Sequence, residues 1–165
     1  MIRIREASTP ADFETARALF LEYAQSLSFS LCFQSFDKEL EEIDRQYAGP
    51  GGVLLLALHA DGTALGCVGV RRIDDAVAEL KRMYVKPAAR GLGLGKRLLD
   101  EALQRAMALG YAAIRLDTLP EMGAAIQMYQ TSGFQPIAPY TRNPVEGALF
   151  LEKSLASGEG LAGRP

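Results

Sequence analysis

Between Glu79 and Arg97 the chain runs Glu-Leu-Lys-Arg-Met-Tyr-Val-Lys-Pro-Ala-Ala-Arg-Gly-Leu-Gly-Leu-Gly-Lys-Arg. This is an apolar strand, a proline stop, and a glycine-punctuated turn that opens a helix. Gly91, Gly93 and Gly95 fall at alternate positions and remove Cβ from one side of the backbone just where the helix begins. Consecutive N–H groups can then converge on one anion at the positive end of the helix dipole. Such a cradle suits a polyphosphate, and Arg90, Lys96 and Arg97 add positive charge beside it. Taken alone, the loop also admits a plainer reading, a glycine-rich helix start that binds nothing.

Spacing separates the polyphosphate readings. A nucleoside-triphosphate loop needs Gly, four residues, then Gly-Lys-Ser/Thr. Counting back from Gly95-Lys96 puts Arg90 at the first glycine, and Arg97 stands where the magnesium-binding hydroxyl belongs. A dinucleotide fingerprint needs Gly-x-Gly-x-x-Gly, but its last position falls on Lys96 or Leu98. Both patterns fail. What remains is Arg-x-x-Gly-x-Gly from Arg90 to Gly95, after a strand ending Met-Tyr-Val-x-Pro.

The elements that must position this loop follow from periodicity. Ile2 and Ile4 alternate with arginines, as in a short edge strand. Phe13, Ala16, Phe20, Tyr23, Ala24 and Leu27 keep helical spacing after a Thr9-Pro10 start. Asp37 to Tyr47 repeats the pattern and ends at Gly49-Pro50-Gly51-Gly52. Val53 to His59 is a nearly continuous apolar run, a central strand, and Asp61-Gly62 turns it into a return strand over Leu65 to Ile73. A second turn at Asp74-Asp75 leads into Val77 to Val85, so a three-strand meander feeds the loop. The helix after it buries Leu98, Ala102, Ala106 and Leu109 and stops at Gly110. The strand Ala112 to Leu116 is then parallel to the one before the loop, because a crossover helix joins them. Thr118 to Glu121 has capping-box form, followed by a helix through Ala125, Met128 and Tyr129 to a Gly133 stop. Phe134 to Ile137 and Ala148 to Glu152 form a last pair of strands.

The 165 residues make one domain, spanning 2–155, and 156–165 form a loose Ala/Gly/Ser/Pro tail. Apolar residues at 48% and charged ones at 23% are ordinary for a globular protein. A net charge of −2 supplies no electrostatic attraction to nucleic acid or to an anionic membrane. The N-terminus lacks a signal-like apolar stretch and no apolar run is long enough to span a bilayer, so a cytoplasmic location is expected. Cys32 and Cys67 have no metal or redox spacing and read as reduced, buried thiols, and no metal site is expected.

Two motifs together resemble the GCN5-related N-acetyltransferase (GNAT) family. One is the Arg90–Gly95 loop, the other Ala-Ile-Gln-Met-Tyr-Gln-Thr-Ser-Gly-Phe at Ala125 to Phe134. The resemblance covers nearly the whole chain. It implies an α/β fold, a mixed, mostly antiparallel twisted sheet of about six to seven strands flanked by about four helices. It further implies acetyl-CoA as co-substrate and direct acetyl transfer to a primary amine of a small molecule, amino acid or peptide. In the family, the strand before the loop diverges from its parallel neighbour and the pantetheine arm bonds to the exposed backbone. Here that backbone would be Met83, Tyr84 and Val85, with the pyrophosphate on the amides of Gly91, Leu92, Gly93, Leu94, Gly95 and Lys96, and Arg90 or Lys96 adding charge.

Transfer to an amine needs a base, since an ammonium near pKa ~10 is almost wholly protonated at neutral pH, and an acid for the departing thiolate. The resemblance assigns the acid to Tyr129; a helix tyrosine packed on the sheet is the alternative. Glu79, eleven positions before Arg90 (90 − 79), lies where some members carry a glutamate base. It could equally pair with Lys81 or Arg71; Asp117 is a second, weaker candidate, and His59 adjoins a hairpin turn and reads as a surface residue. For the acceptor, Phe29, Phe33 and Phe36 would form an aromatic wall with Tyr140, Arg142 and Asn143 at its mouth, Arg142 receiving a carboxylate. The chain departs from the family at Met122, where many members carry an asparagine that holds the coenzyme. A non-catalytic acyl-CoA-binding or sensing module remains the alternative to an enzyme, and edge-strand pairing leaves a homodimer open.

Overall fold

Val53 to His59 becomes the strand on which both halves of the core are built. Leu54, Leu56 and Leu58 face one layer while Val53, Leu55 and Ala57 face the other, so alternation along a strand buried on both faces yields a continuous apolar run. The computed structural model describes residues 1–27 and 35–155. Its elements are β1 (Ile2–Glu6), α1 (Pro10–Gln25), α2 (Phe36–Glu41), α3 (Ile43–Ala48), β2 (Val53–His59), β3 (Ala64–Arg72) and β4 (Val77–Val85). A 3-10 turn at Pro87–Ala89 follows, then α4 (Leu94–Ala108), β5 (Ala113–Thr118), α5 (Gly123–Thr131), β6 (Gln135–Pro136) and β7 (Leu149–Ser154). The sheet order is β1-β2-β3-β4-β5-β7-β6, antiparallel except for β4 with β5. This is the expected mixed α/β sheet.

One layer packs α4 and α5 on the sheet through Leu94, Leu98, Leu99, Ala102 and Tyr129. The other packs α1, α2 and α3 through Phe13, Leu19, Phe20, Ile43 and Tyr47. The start of α1 is fixed locally. Thr9 accepts from the Asp12 N–H and Asp12 accepts from the Thr9 N–H, a reciprocal cap with Pro10 in the first turn. Gly69 admits the Tyr47 ring, which a Cβ at that position would meet at 2.5 Å. The sheet's glycines are therefore packing sites as much as turns.

Several local expectations change. The helix read over Asp37 to Tyr47 breaks at Glu42 into α2 and α3, so the described residues form five helices. Across the break, the Tyr47 hydroxyl donates to Glu39 Oε2 at 2.7 Å. The capping box at Thr118 to Glu121 does not form. Thr118 still belongs to β5, its hydroxyl meets Met122 Sδ at 3.6 Å, and α5 begins at Gly123 without a side-chain cap. Leu109, expected on the buried side, is exposed at the C-cap of α4. The tail 156–165, Cys32, Phe29 and Phe33 lie outside the described residues. Among the described residues no helix is long and apolar enough to cross a membrane.

Candidate active site

β4 and β5 pair only through Val77↔Ala113, Ala78↔Ile114 and Glu79↔Arg115. Past Glu79 the two strands separate. A bulge bends β4 there, since Arg82 and Met83 together oppose Val68 between the Gly69↔Lys81 and Cys67↔Tyr84 rungs. Arg82 holds a left-handed φ of +58°, a conformation that costs a non-glycine residue about 1–2 kcal/mol. It is clamped from the α2 side: Arg82 donates to Glu39 at 2.6 and 3.0 Å, and its guanidinium stacks 5.3 Å from the Phe36 ring centre. Glu39 is itself almost fully buried. Burial alone would raise its pKa, but the Arg82 hydrogen bond and charge outweigh that and hold it below the usual range.

The gap between the strands opens into a cleft of two adjoining parts. The outer part is a groove of about 610 Å³, running from Met83, Tyr84 and Val85 to the loop and across to Met122, Ala125 and Met128. The inner part is a chamber of about 90 Å³ lined by Tyr23, Lys81, Arg82, Asp117, Thr118, Tyr129 and Asn143 among others. Tyr23, Met83, Met122 and Ala125 line both.

At the outer end, Gly91 and Gly93 take φ +84° and +75°, with nothing within 4 Å of a Cβ built on either. The open space and the left-handed backbone are what a cradle for a bulky anion requires. Gly93 is also the N-cap of α4; the first intrahelical bond runs from Arg97 N–H to Gly93 O, and no acidic residue lies in the first turn. The amides of Leu94, Gly95 and Lys96 thus precede the ladder at the positive end of the dipole. The Leu92 side chain points outward at 64% exposure. Arg90 Nε donates to Val85 O at 2.9 Å, and Lys96 Nζ pairs with Asp100 at 2.8 Å. The residues present fit a coenzyme diphosphate bound through main-chain amides, and Leu80 to Val85 offers it a strand edge without β5 ladder partners.

Replacing Gly93 by valine is expected to weaken acetyl-CoA binding about tenfold, since a β-branched side chain drives the loop out of its left-handed conformation. Titration calorimetry reads this. Gly62→Val, with the same strain at φ +92° in the β2–β3 hairpin, should leave the affinity unchanged.

At the inner end, Tyr129 is 6% exposed and stacks edge-on to Phe134 at 5.7 Å. Burial, and next Tyr23, push its phenol well above the ordinary value, so it carries its proton. Its hydroxyl makes no hydrogen bond among the described residues. Lys81 is held below its usual pKa by burial and then by neighbouring Arg82. Glu79, expected as a base, lines neither part of the cleft. It occupies the last paired rung, where Oε1 accepts from Arg71 at 3.2 Å, Oε2 accepts from the Tyr140 hydroxyl at 2.8 Å, and Lys81 Nζ lies 4.0 Å away. The pairing read as its alternative is the one the chain makes.

Of the acceptor residues, Asn143 lines the chamber, Tyr140 is tied to Glu79, and Arg142 is exposed and lines neither part. Phe33 lies outside the described residues and Phe36 is buried under Arg82. One contributor was not visible in the sequence as a site residue: Tyr23 reads there only as one apolar position on α1. Asp117, the weaker base candidate, lines the chamber and meets Asn143 across 26 residues, at 2.9 Å. Buried Cys67 has its thiol pushed up by burial, which makes it a poor nucleophile. His59 lies beside Asp61 on the hairpin, remote from the cleft.

The sequence model described as "Acetyltransferase (GNAT) family" matches residues 17–134. An uncharacterized N-acetyltransferase of Schizosaccharomyces pombe is 36% identical over 156 residues, which is 94% of this chain and 96% of that protein. Among solved structures, a GNAT-family acetyltransferase from Staphylococcus aureus superimposes with a TM-score of 0.77 at 24% identity, covering 94% of this chain and 99% of that one. An acetyltransferase from Salmonella typhimurium, solved with acetyl-CoA, gives 0.72 at 19% identity and 94% of each chain.

Proposed function

The chain belongs to the acetyltransferase (GNAT) family, and from that premise we propose that it moves an acetyl group from acetyl-CoA directly to a primary amine of a small molecule, amino acid or peptide. The observation that carries the reading is a groove lined by Gly91, Gly93 and Gly95 beside a chamber lined by Tyr129, with four residues lining both. Bound in it, the coenzyme supplies an activated thioester. The amides from Gly91 to Lys96 hold the diphosphate, the edge of Met83 and Tyr84 that β5 leaves open aligns the pantetheine arm, and Arg90, bonded to Val85 O, closes the strand end. Tyr129 protonates the departing thiolate. Burial keeps its phenol protonated, so a proton is there to give. Glu79 is a positioning residue that ties Tyr140, and with it the β6–β7 connection, to β4.

Incubating the full chain with acetyl-CoA and a panel of primary amines, amino acids and peptide N-termini, then titrating free coenzyme A, tests this. Amine-dependent thiol release is expected. Tight acetyl-CoA binding without release across the panel would instead favour a sensing module.

A further inference from the structure

The chamber lined by Tyr129 is electrically lopsided across the separated strands. On the β4 side the charged lining residues are Lys81 and Arg82, with Arg82 paired to Glu39 behind it and Lys81 Nζ 4.0 Å from Glu79. On the β5 side the charged lining residue is Asp117. An incoming ammonium is therefore repelled by one wall and drawn to the other. Asp117 is also held for the task. Its Oδ2 accepts from Asn143 Nδ2 at 2.9 Å, and Asn143 Oδ1 accepts from the Val145 N–H at 3.0 Å, while Oδ1 of Asp117 takes no hydrogen bond from a described residue. Glu79, by contrast, has both oxygens engaged and sits one rung before the strands part.

We propose that Asp117, oriented by Asn143, receives the amino group of the acceptor and takes its proton, an assignment that rests on the acetyltransferase reading above. The ammonium proton passes to the Asp117 carboxylate, and the freed lone pair forms the C–N bond as the C–S bond breaks. The sulfur takes the Tyr129 proton, a second proton leaving the nitrogen restores the tyrosine, and Asp117 returns its own to solvent. Lys81 and Arg82 on β4, Tyr23 on α1 and Tyr140 beyond β6 are the other ionisable groups around this carboxylate. None is as well placed to attract a cation.

The test compares Asp117→Asn, Asn143→Ala and Glu79→Gln on the full chain, with the best amine of the panel and with an amine already neutral at the assay pH. Asp117→Asn should lower kcat/KM for the protonated amine about 100-fold, with the acetyl-CoA Kd unchanged within about twofold. The loss should shrink to about fivefold for the neutral amine, which needs no base. Asn143→Ala should show the same bias at about tenfold, and decides the matter by that comparison should Asp117→Asn lose coenzyme binding. Glu79→Gln should show no bias between the two amines. Equal losses for both amines in Asp117→Asn, or turnover within about threefold of the wild type, overturn the role alone. An inactive wild type across the whole panel overturns the acetyltransferase reading and this assignment with it.

Discussion

Tyr129→Phe is expected to lower kcat by about 10²–10⁴-fold, the range that a positioned proton donor contributes, while leaving acetyl-CoA affinity within about twofold. The substitution is sharply aimed. Phenylalanine keeps the edge-on contact with Phe134 and the packing against the sheet, and the lost hydroxyl makes no hydrogen bond among the described residues. Stability should thus change little, so a fall in rate reports chemistry rather than folding. Stopped-time titration of free coenzyme A gives kcat, and calorimetry gives the affinity. An unchanged kcat would mean that water or another group protonates the sulfur, and Tyr129 would be only a packed side chain.

Glu39→Ala should cost about 3–5 kcal/mol of stability, the usual result of taking one partner from a buried ion pair, and lower Tm by roughly 10 °C for a chain of this size. The side chains of Arg82 and Glu39 are 4% and 1% exposed, and the same carboxylate accepts from the buried Tyr47 hydroxyl. Removing it takes from the guanidinium and the phenol the buried acceptor they share. Glu39→Gln, which keeps an acceptor, should cost less. The pH dependence has a definite sign. Glu39 is depressed in the fold, so its contribution is present above its unfolded value of 4.5 and is lost as pH falls through the lower folded value. Wild-type and Glu39→Gln stabilities, measured by urea titration, should converge in acid. A constant gap down to low pH would sink the ion-pair account. Because this pair holds the β4 bulge, the surviving folded variant should also bind acetyl-CoA more weakly.

Part of the site was legible because its cause is local. The left-handed turns at Gly91 and Gly93 and the orphan amides of the α4 start depend on residues adjacent in the chain. The same holds for the Thr9–Asp12 cap and for the hairpin at Asp61-Gly62. The capping motif at Thr118 failed for a tertiary reason: β7 pairs with β5 as far as Thr118↔Leu149, and that ladder claims the residue as strand. Likewise the apolar spacing from Asp37 to Tyr47 is indifferent to a break at Glu42. Only the bond from Tyr47 to Glu39, set by where β3 leaves room at Gly69, makes the break useful.

Glu79 shows the limit most clearly. Its distance from the loop placed it on the right strand but could not say at which rung the strands part, and that rung separates an ion-paired carboxylate from one in the chamber. The sequence by itself determined the order of elements and the left-handed glycine turn that opens α4, since helix starts, turns and strand faces answer to near neighbours. Only the tertiary structure decided which carboxylate meets the chamber. That choice turns on the Arg82 bulge and on Asn143 reaching Asp117, contacts between residues far apart in sequence whose geometry no local spacing encodes.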